Sequence, residues 1–188
     1  MSLHYKPYLY SMRPILLFSL IGLMMACQPK APEKQVIPVS DDTTFLTGTV
    51  YLVRHAERYE GYDSTLTPEG RIRAGKLYQE LKDSGINKIY ITRFRRSIET
   101  ADSFRILGKV DTVFYLADTT GESLIYEITR HEDWGKHLLV IGHANTIVPI
   151  IKAFGAKSPV TTIPDKDFEH MFVIKKEKAE TTVQERCY

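Results

Sequence analysis

Histidine and arginine side chains follow directly after three apolar segments of the sequence. They are Arg54 with His55, the stretch from Thr92 to Arg96, and His143 after Gly142. Guanidinium groups bind phosphoryl oxygens through paired hydrogen bonds, and nearby positive charge lowers the pKa of an imidazole because a second cation is disfavoured. An imidazole that stays neutral at pH 7 is a competent nucleophile. Brought together, these side chains suit the attack of a histidine on phosphorus.

Apolar strand patterns alternate with amphipathic helix patterns along the chain. Strands are predicted at 49–53, 86–91, 112–116, 138–141 and 168–175, with a further one at 181–185, and helices from Thr67 to Gly85 and at 95–105, 122–132 and 146–154. This alternation predicts an α/β fold with a doubly wound, mostly parallel sheet flanked by helices. Ligands bind outside the carboxyl ends of such strands, so the three basic segments should converge there.

Four motifs, in this order, resemble those of the histidine phosphatase superfamily, the phosphoglycerate-mutase-like proteins. They are LVRHAE at 52–57, LTPEG at 66–70 with Ala74, TRFRRSIETA at 92–101 and VIGHANT at 140–146. The resemblance covers residues 48–155 and implies a phosphatase that forms a covalent phosphohistidine. The implied substrate is a small phosphomonoester, phosphohistidine or acyl phosphate, with no cofactor and no metal.

The resemblance also assigns roles within the site. His55 is the implied nucleophile, and His143 is implied to contact the phosphate from the opposite side. Arg54 and Arg96 are the implied phosphate-binding residues, because alignment at Thr100 and Ala101 selects Arg96 rather than its neighbour. The neighbouring Arg95 and the more distant Arg58 are expected to be solvent-facing or to lie at the rim.

The proton donor for the leaving group stays open. The segment 106–122 is too short for the lid insertion of the mutases, and Ala144 and Asn145 replace the family's His-Asp acid motif, so a single compact domain without glycolytic mutase activity is expected. The candidate acids are Glu122, Asp118 and Glu57. Glu122 is preferred because it begins a helix whose N-terminus can face the pocket, whereas Glu57 is expected to orient the loop by hydrogen bonds.

Two other classes of function remain. The domain could be a non-catalytic surface lipoprotein that binds phosphorylated ligands or a protein partner, which the lack of an obvious acid favours. A metallohydrolase is the third reading, from the His55-Ala56-Glu57 segment and further histidines, but the adjacent arginines would repel a cation. The loops 61–65 and 118–121 are predicted to determine the substrate.

The first 26 residues have the pattern of an export signal. Arg13 precedes an apolar run at 15–25 that is short for a bilayer span, and Ala26 and Cys27 follow. The pattern resembles a bacterial lipoprotein signal, which implies an exported protein anchored through lipid on Cys27 to the periplasmic side of a membrane. An ordinary cleaved signal or an uncleaved anchor is the alternative, and Met12 is a second candidate start.

The remainder is predicted to form a Pro-rich disordered tether at 27–45 and one catalytic domain at 46–188. The chain has 25 basic and 23 acidic residues, and the signal segment contains two of the basic ones and none of the acidic ones. The rest is therefore neutral overall, which argues against nucleic acid as a partner. Two cysteines, Cys27 and Cys187, exclude a disulfide-rich scaffold.

Overall fold

A six-stranded sheet organises the protein. The structure, a computed structural model, describes residues 47–178 and 180–188. Its strands are β1 (Gly48–Arg54), β2 (Lys88–Ile91), β3 (Thr112–Phe114), β4 (His137–Gly142), β5 (His170–Glu177) and β6 (Glu180–Cys187), in the order β3-β2-β4-β1-β5-β6. The strands β3, β2, β4 and β1 are parallel, whereas β5 and β6 add an antiparallel edge. The predicted doubly wound, mostly parallel α/β class is confirmed.

Helices cover both faces of this sheet. They are α1 (Pro68–Leu81), α2 (Arg95–Ile106), α3 (Glu122–Arg130) and α4 (Ile147–Ala153). Apolar side chains of α1 and α2 pack with one face of the central strands, and those of α3 and α4 pack with the other. The strand β4 is buried on both faces, which explains its continuous apolar sequence. None of the helices in the described ranges is long and apolar enough to cross a membrane.

The loop after β1 is fixed against α1. Thr67 caps the helix by accepting a hydrogen bond from the Gly70 amide at 3.2 Å, and Pro68 occupies the first turn. The backbone of Gly70 lies so close to Glu57 that a Cβ atom would overlap the Glu57 carbonyl. Arg73 binds the Glu57 carboxylate with Nε···O distances of 2.8 and 2.9 Å. These contacts set the direction in which the chain leaves β1.

The predicted signal segment, the tether and Cys27 lie outside the described residues, so those interpretations stay predictions. The folded part contains Cys187, whose side chain is exposed at the end of β6. Within the described ranges the elements occur in the predicted order, with ends that shift by a few residues.

Candidate active site

The two histidines lie side by side because β1 and β4 are hydrogen-bonded neighbours. In the sheet register Arg54 is opposite Gly142, and the amide of His55 donates to the Gly142 carbonyl at 3.0 Å. The imidazoles of His55 and His143 follow this pair, with ring centroids 5.3 Å apart. They line an open pocket of about 320 Å³ together with Arg54, Arg58, Phe94, Arg96, Ala117, Ala144 and Asn145. The structure thus brings together all four side chains of the predicted phosphate site.

The imidazole of His55 has a defined tautomer. Its Nδ1 lies 2.9 Å from the Ala56 carbonyl oxygen, which can only accept a hydrogen bond. Nδ1 therefore carries the proton, and Nε2 keeps a free lone pair. Burial lowers the pKa of His55 to about 3; the Ala56 hydrogen bond opposes this shift, and the charges of His143 and Arg54 add to it. The side chain is thus a neutral nucleophile at pH 7.

The imidazole of His143 is held between an arginine and a hydroxyl group. Nδ1 lies 3.5 Å from Nη2 of Arg96, and Nε2 lies 2.9 Å from Oγ1 of Thr92. Because a guanidinium only donates, Nδ1 is the acceptor, and Nε2 carries the proton donated to Thr92. Burial lowers the pKa of His143 to about 4, with Arg96 as the next largest cause. Two neutral imidazoles therefore face the pocket when no anion is bound.

Arg54 is clamped by the chain that precedes β5. Its Nη1 donates to the carbonyls of Pro164, Asp165 and Asp167 at 2.9, 2.9 and 3.1 Å. Its guanidinium lies over the ring of Phe168, with Cζ 4.2 Å from the centroid. These contacts use one nitrogen and fix the orientation of the planar group, so the remaining donors are preorganised.

Arg96 occupies the opposite side and is held in a similar manner. Its Nη1 donates to the Tyr62 carbonyl at 2.9 Å, and its Cζ lies 4.1 Å from the ring centroid of Phe94. Within the described part of the chain, the buried Nε atoms of both Arg54 and Arg96 have no hydrogen-bond partner. A buried N–H without an acceptor costs about 1–3 kcal/mol. Both guanidiniums are therefore short of acceptors, which an oxyanion would supply.

Arg95 and Arg58, the two arginines expected to face solvent or lie at the rim, differ in their surroundings. The Arg95 side chain is exposed, and only its backbone amide is engaged, by Oδ1 of Asp63 at 2.7 Å. Arg58 lines the pocket as a third guanidinium, and its charge contributes to lowering the pKa of His143. Its Nη1 donates to the carbonyls of Tyr59 and Gly61 at 3.0 and 2.6 Å. The expected rim position of Arg58 thus understates its contact with the pocket.

The position of Arg58 depends on a tertiary contact of its neighbour Glu57. Arg73 on α1 binds the Glu57 carboxylate, whereas the next residue, Arg58, lines the pocket. The expected loop-orienting role of Glu57 agrees with this geometry.

The three candidate acids do not line the phosphate pocket. Glu122 is exposed at the start of α3. Asp118 accepts hydrogen bonds from the amides of Thr120, Gly121 and Ser123; burial raises its pKa, but these bonds outweigh burial and lower it overall. Asp118 is thus an ionised helix cap, and the preference for Glu122 as a pocket residue finds no support in its position.

Carboxyl groups are absent from the pocket lining formed by residues 47–178 and 180–188. The same residues contain no group of three or more His, Cys, Asp or Glu side chains that could hold a metal ion. The pocket is instead a basic cradle with two imidazoles. Such a cradle can bind a phosphoryl group and present a nucleophilic nitrogen to it.

Part of the chain matches a known protein family. Residues 50–113, about a third of the chain, match the family described as histidine phosphatase superfamily (branch 1). A search of curated proteins found no significant match.

Three solved structures show the likeness of the fold. The protein histidine phosphatase SixA complexed with tungstate has 16% identity and a TM-score of 0.57, covering 74% of this chain and 96% of its own. YhfR of Bacillus stearothermophilus has 20% identity and a TM-score of 0.55, covering 72% and 95%. A mycobacterial glucosyl-3-phosphoglycerate phosphatase has 11% identity and a TM-score of 0.59, covering 76% and 98%. At these identities the likeness concerns the fold.

The fold resembles that of solved phosphatase structures, and its pocket combines histidine and arginine side chains. The segment that matches the histidine phosphatase superfamily, residues 50–113, contains Arg54, His55 and Arg96 of this pocket.

Proposed function

We propose that this protein is a phosphatase that transfers a phosphoryl group from a small phosphorylated substrate to His55 and then to water. The observation that carries the proposal is the pair of neutral imidazoles at 5.3 Å, lying in one pocket with the buried guanidiniums of Arg54 and Arg96. The match of residues 50–113 to the histidine phosphatase superfamily supports the same activity. No cofactor enters the reaction.

The chemistry balances in two displacements. Nε2 of His55 attacks phosphorus, the N–P bond forms, and the bond to the leaving group breaks. Water then attacks the phosphohistidine, which releases inorganic phosphate and restores the imidazole. The guanidiniums of Arg54 and Arg96 stabilise the charge on the phosphoryl oxygens in both steps.

The second histidine has a role that depends on the bound anion. In the empty pocket its Nδ1 accepts from Arg96 and its pKa is lowered to about 4. A phosphoryl dianion offsets the surrounding positive charge and raises that pKa, because an opposite charge favours the protonated form. His143 then donates a proton from Nδ1 to a phosphoryl oxygen.

The leaving group is the part of the substrate that the pocket constrains most. Alkoxides need a proton as they depart, and the described pocket offers no carboxyl group for this purpose. The geometry therefore favours substrates with good leaving groups, such as a phosphohistidine or an acyl phosphate. The likeness in fold to a protein histidine phosphatase is consistent with this class.

The test is to trap the intermediate. The domain is mixed briefly with acetyl phosphate that is radiolabelled on phosphorus and is then denatured. The protein-bound label should be acid-labile and alkali-stable. Wild type and the control variant His131→Ala, which changes an exposed histidine, should carry label, and His55→Ala should carry none. Label that persists in His55→Ala would refute the assignment of the nucleophile.

The same preparation separates the alternative classes. Hydrolysis of p-nitrophenyl phosphate that is unchanged by EDTA is expected for the phosphatase, and loss of activity with EDTA would indicate a metallohydrolase. Binding of inorganic phosphate without any hydrolysis would indicate the non-catalytic lipoprotein.

We also propose that the protein is exported and held at the periplasmic side of a membrane by lipid on Cys27. The apolar run 15–25 and the following small residue and cysteine support this. Cys27→Ser should abolish partitioning into a detergent phase, and full-length wild-type protein in the cytosol would contradict the proposal.

A further inference from the structure

A second pocket opens beside the phosphate pocket, on the side of β2 and β3. It has a volume of about 490 Å³ and shares Phe94 and Ala117 with the phosphate pocket. Its other main walls are the side chains of Tyr62, Asp63, Arg93, Tyr115 and Leu116. We call this pocket the side groove. A group bonded to a phosphoryl moiety beside His55 can extend into it without leaving the protein surface.

Large apolar side chains of the side groove are exposed to solvent. Tyr62 is 86% exposed and Leu116 is 73% exposed. The ring of Tyr62 meets that of Phe94 edge-on, with centroids 5.5 Å apart. Apolar side chains that line a concave site are typical of ligand pockets rather than of an ordinary surface. An aromatic ring in the groove would cover both side chains.

Two hydroxyl groups of the side groove already have partners. The Tyr115 hydroxyl donates to the Ile141 carbonyl at 3.1 Å, and Oγ1 of Thr92 is engaged by His143 and Ser97. The charged groups of Asp63 and Arg93 also lie on the groove wall, whereas Tyr62, Phe94 and Leu116 form its apolar part. This apolar part suits a flat ring, which stacks without hydrogen bonds.

We propose that the side groove binds a planar aromatic leaving group, joined to phosphorus through oxygen or nitrogen. The inference rests on the proposed phosphatase function and extends it to the class of leaving group. The described lining of the phosphate pocket has no carboxyl group, and phenolates and imidazoles depart more easily than alkoxides, which is consistent with this class; the Asp63 carboxylate on the groove wall is engaged by the Arg95 amide. The shape of the side groove thus favours aromatic leaving groups, which can depart from phosphorus without a strong proton donor.

The experiment compares substrates with and without a ring. Acetyl phosphate has a good leaving group and no ring, whereas p-nitrophenyl phosphate and N-phosphorylimidazole have one. The groove variants are Tyr62→Ala and Leu116→Ser, and the control is Tyr59→Ala, which removes an exposed tyrosine of the same loop outside the groove.

We expect the groove variants to raise KM for p-nitrophenyl phosphate about three- to tenfold, since an aromatic contact of 0.5–1.5 kcal/mol corresponds to roughly that ratio. Activity toward acetyl phosphate should change less than twofold, and Tyr59→Ala should resemble wild type. A matching increase with N-phosphorylimidazole would assign an N-linked ring, and an increase with the aryl ester alone would assign an O-linked ring.

Two results would overturn the inference and are distinguishable. Equal losses on acetyl phosphate and p-nitrophenyl phosphate, or no loss on either ring substrate, would show that the groove does not bind the leaving group. No hydrolysis of any of the three substrates by wild type would refute the proposed function, and the inference would fall with it.

Discussion

Replacing Arg96 by alanine should lower kcat/KM at least a hundredfold, whereas Arg95→Ala should change it less than twofold. The two arginines are adjacent in sequence but differ in environment. Arg96 is 9% exposed, stacks on Phe94 and approaches His143, and Arg95 extends into solvent at the start of α2. Only the first can reach a phosphoryl group in the pocket.

The magnitude follows from the donors that Arg96 has left. Nη1 is used by the Tyr62 carbonyl, which leaves Nη2 and the unpartnered Nε for an anion. Charge-assisted hydrogen bonds contribute about 1.5–3 kcal/mol each, and removal of one donor to a developing oxyanion costs about 10²–10³ in rate. Arg96→Lys should recover part of this loss, because a point charge remains but the planar fork is lost.

The assay is kcat/KM on p-nitrophenyl phosphate and acetyl phosphate, with circular dichroism to verify folding. A second readout is the acid limb of the pH profile. Because Arg96 contributes to lowering the pKa of His143, its removal should shift that limb to higher pH. If folded Arg96→Ala loses less than tenfold in kcat/KM, or if Arg95→Ala lowers kcat/KM more, Arg96 is not the phosphate-binding arginine.

Three further results are expected. Arg58→Ala should weaken inhibition by inorganic phosphate about tenfold, as a pocket cation would, while a rim residue would leave it unchanged. Asp118→Asn should lower the free energy of unfolding by about 1 kcal/mol, because its carboxylate accepts from amides at the start of α3. Glu122→Gln should leave both stability and activity unchanged, since Glu122 is exposed. If Glu122→Gln instead lost activity only toward substrates with poor leaving groups, Glu122 would be the general acid. The free energy of unfolding should fall as pH drops below about 6.5, because the imidazoles of the unfolded chain bind protons there. In the folded protein His55 and His143 stay neutral until pH falls to about 3 and about 4, so each lowers the free energy of unfolding by at most about 1.4 kcal/mol per pH unit. Urea denaturation at several pH values measures this slope, and replacing both histidines by Gln should flatten it.

The sequence predicted the central elements because their signals are local. The strand β4 is an unbroken apolar run, and α1 begins with a capping Thr67 and Pro68. The edge hairpin was less well defined, since β5 and β6 extend to Glu177 and Cys187, beyond the predicted ends. The strand β6 exposes most of its residues, so its polar sequence lacks the apolar signal of a buried strand. Its pairing with β5 depends on contacts across the hairpin that a local pattern does not contain.

The candidate site was predictable where it depends on the strand ends, and not where it depends on tertiary contacts. The convergence of His55 and His143 follows from two parallel strands being neighbours. The orientation of Arg58 follows from the pairing of Glu57 with α1, which no local motif shows. The loop before α3 uses the Asp118 carboxylate as a helix cap, an outcome of its turn geometry rather than of its composition.

The phosphate site combines a part of the chain that carries recognisable sequence motifs with a part that carries none. Arg54, His55 and Arg96 lie inside the segment that matches the family, whereas His143 and the clamp around Arg54 lie beyond it. The clamp consists of backbone carbonyls at 164, 165 and 167, which any residue type can supply. The hydrogen bonds that hold the guanidinium go to carbonyl oxygens and not to a carboxylate, although the nearby carboxylates of Asp165 and Asp167 partly oppose the lowering of its pKa by burial. Arg54 therefore keeps guanidinium donors for the phosphoryl group, and the segment before β5 positions it although the side chains of that segment carry no recognisable motif.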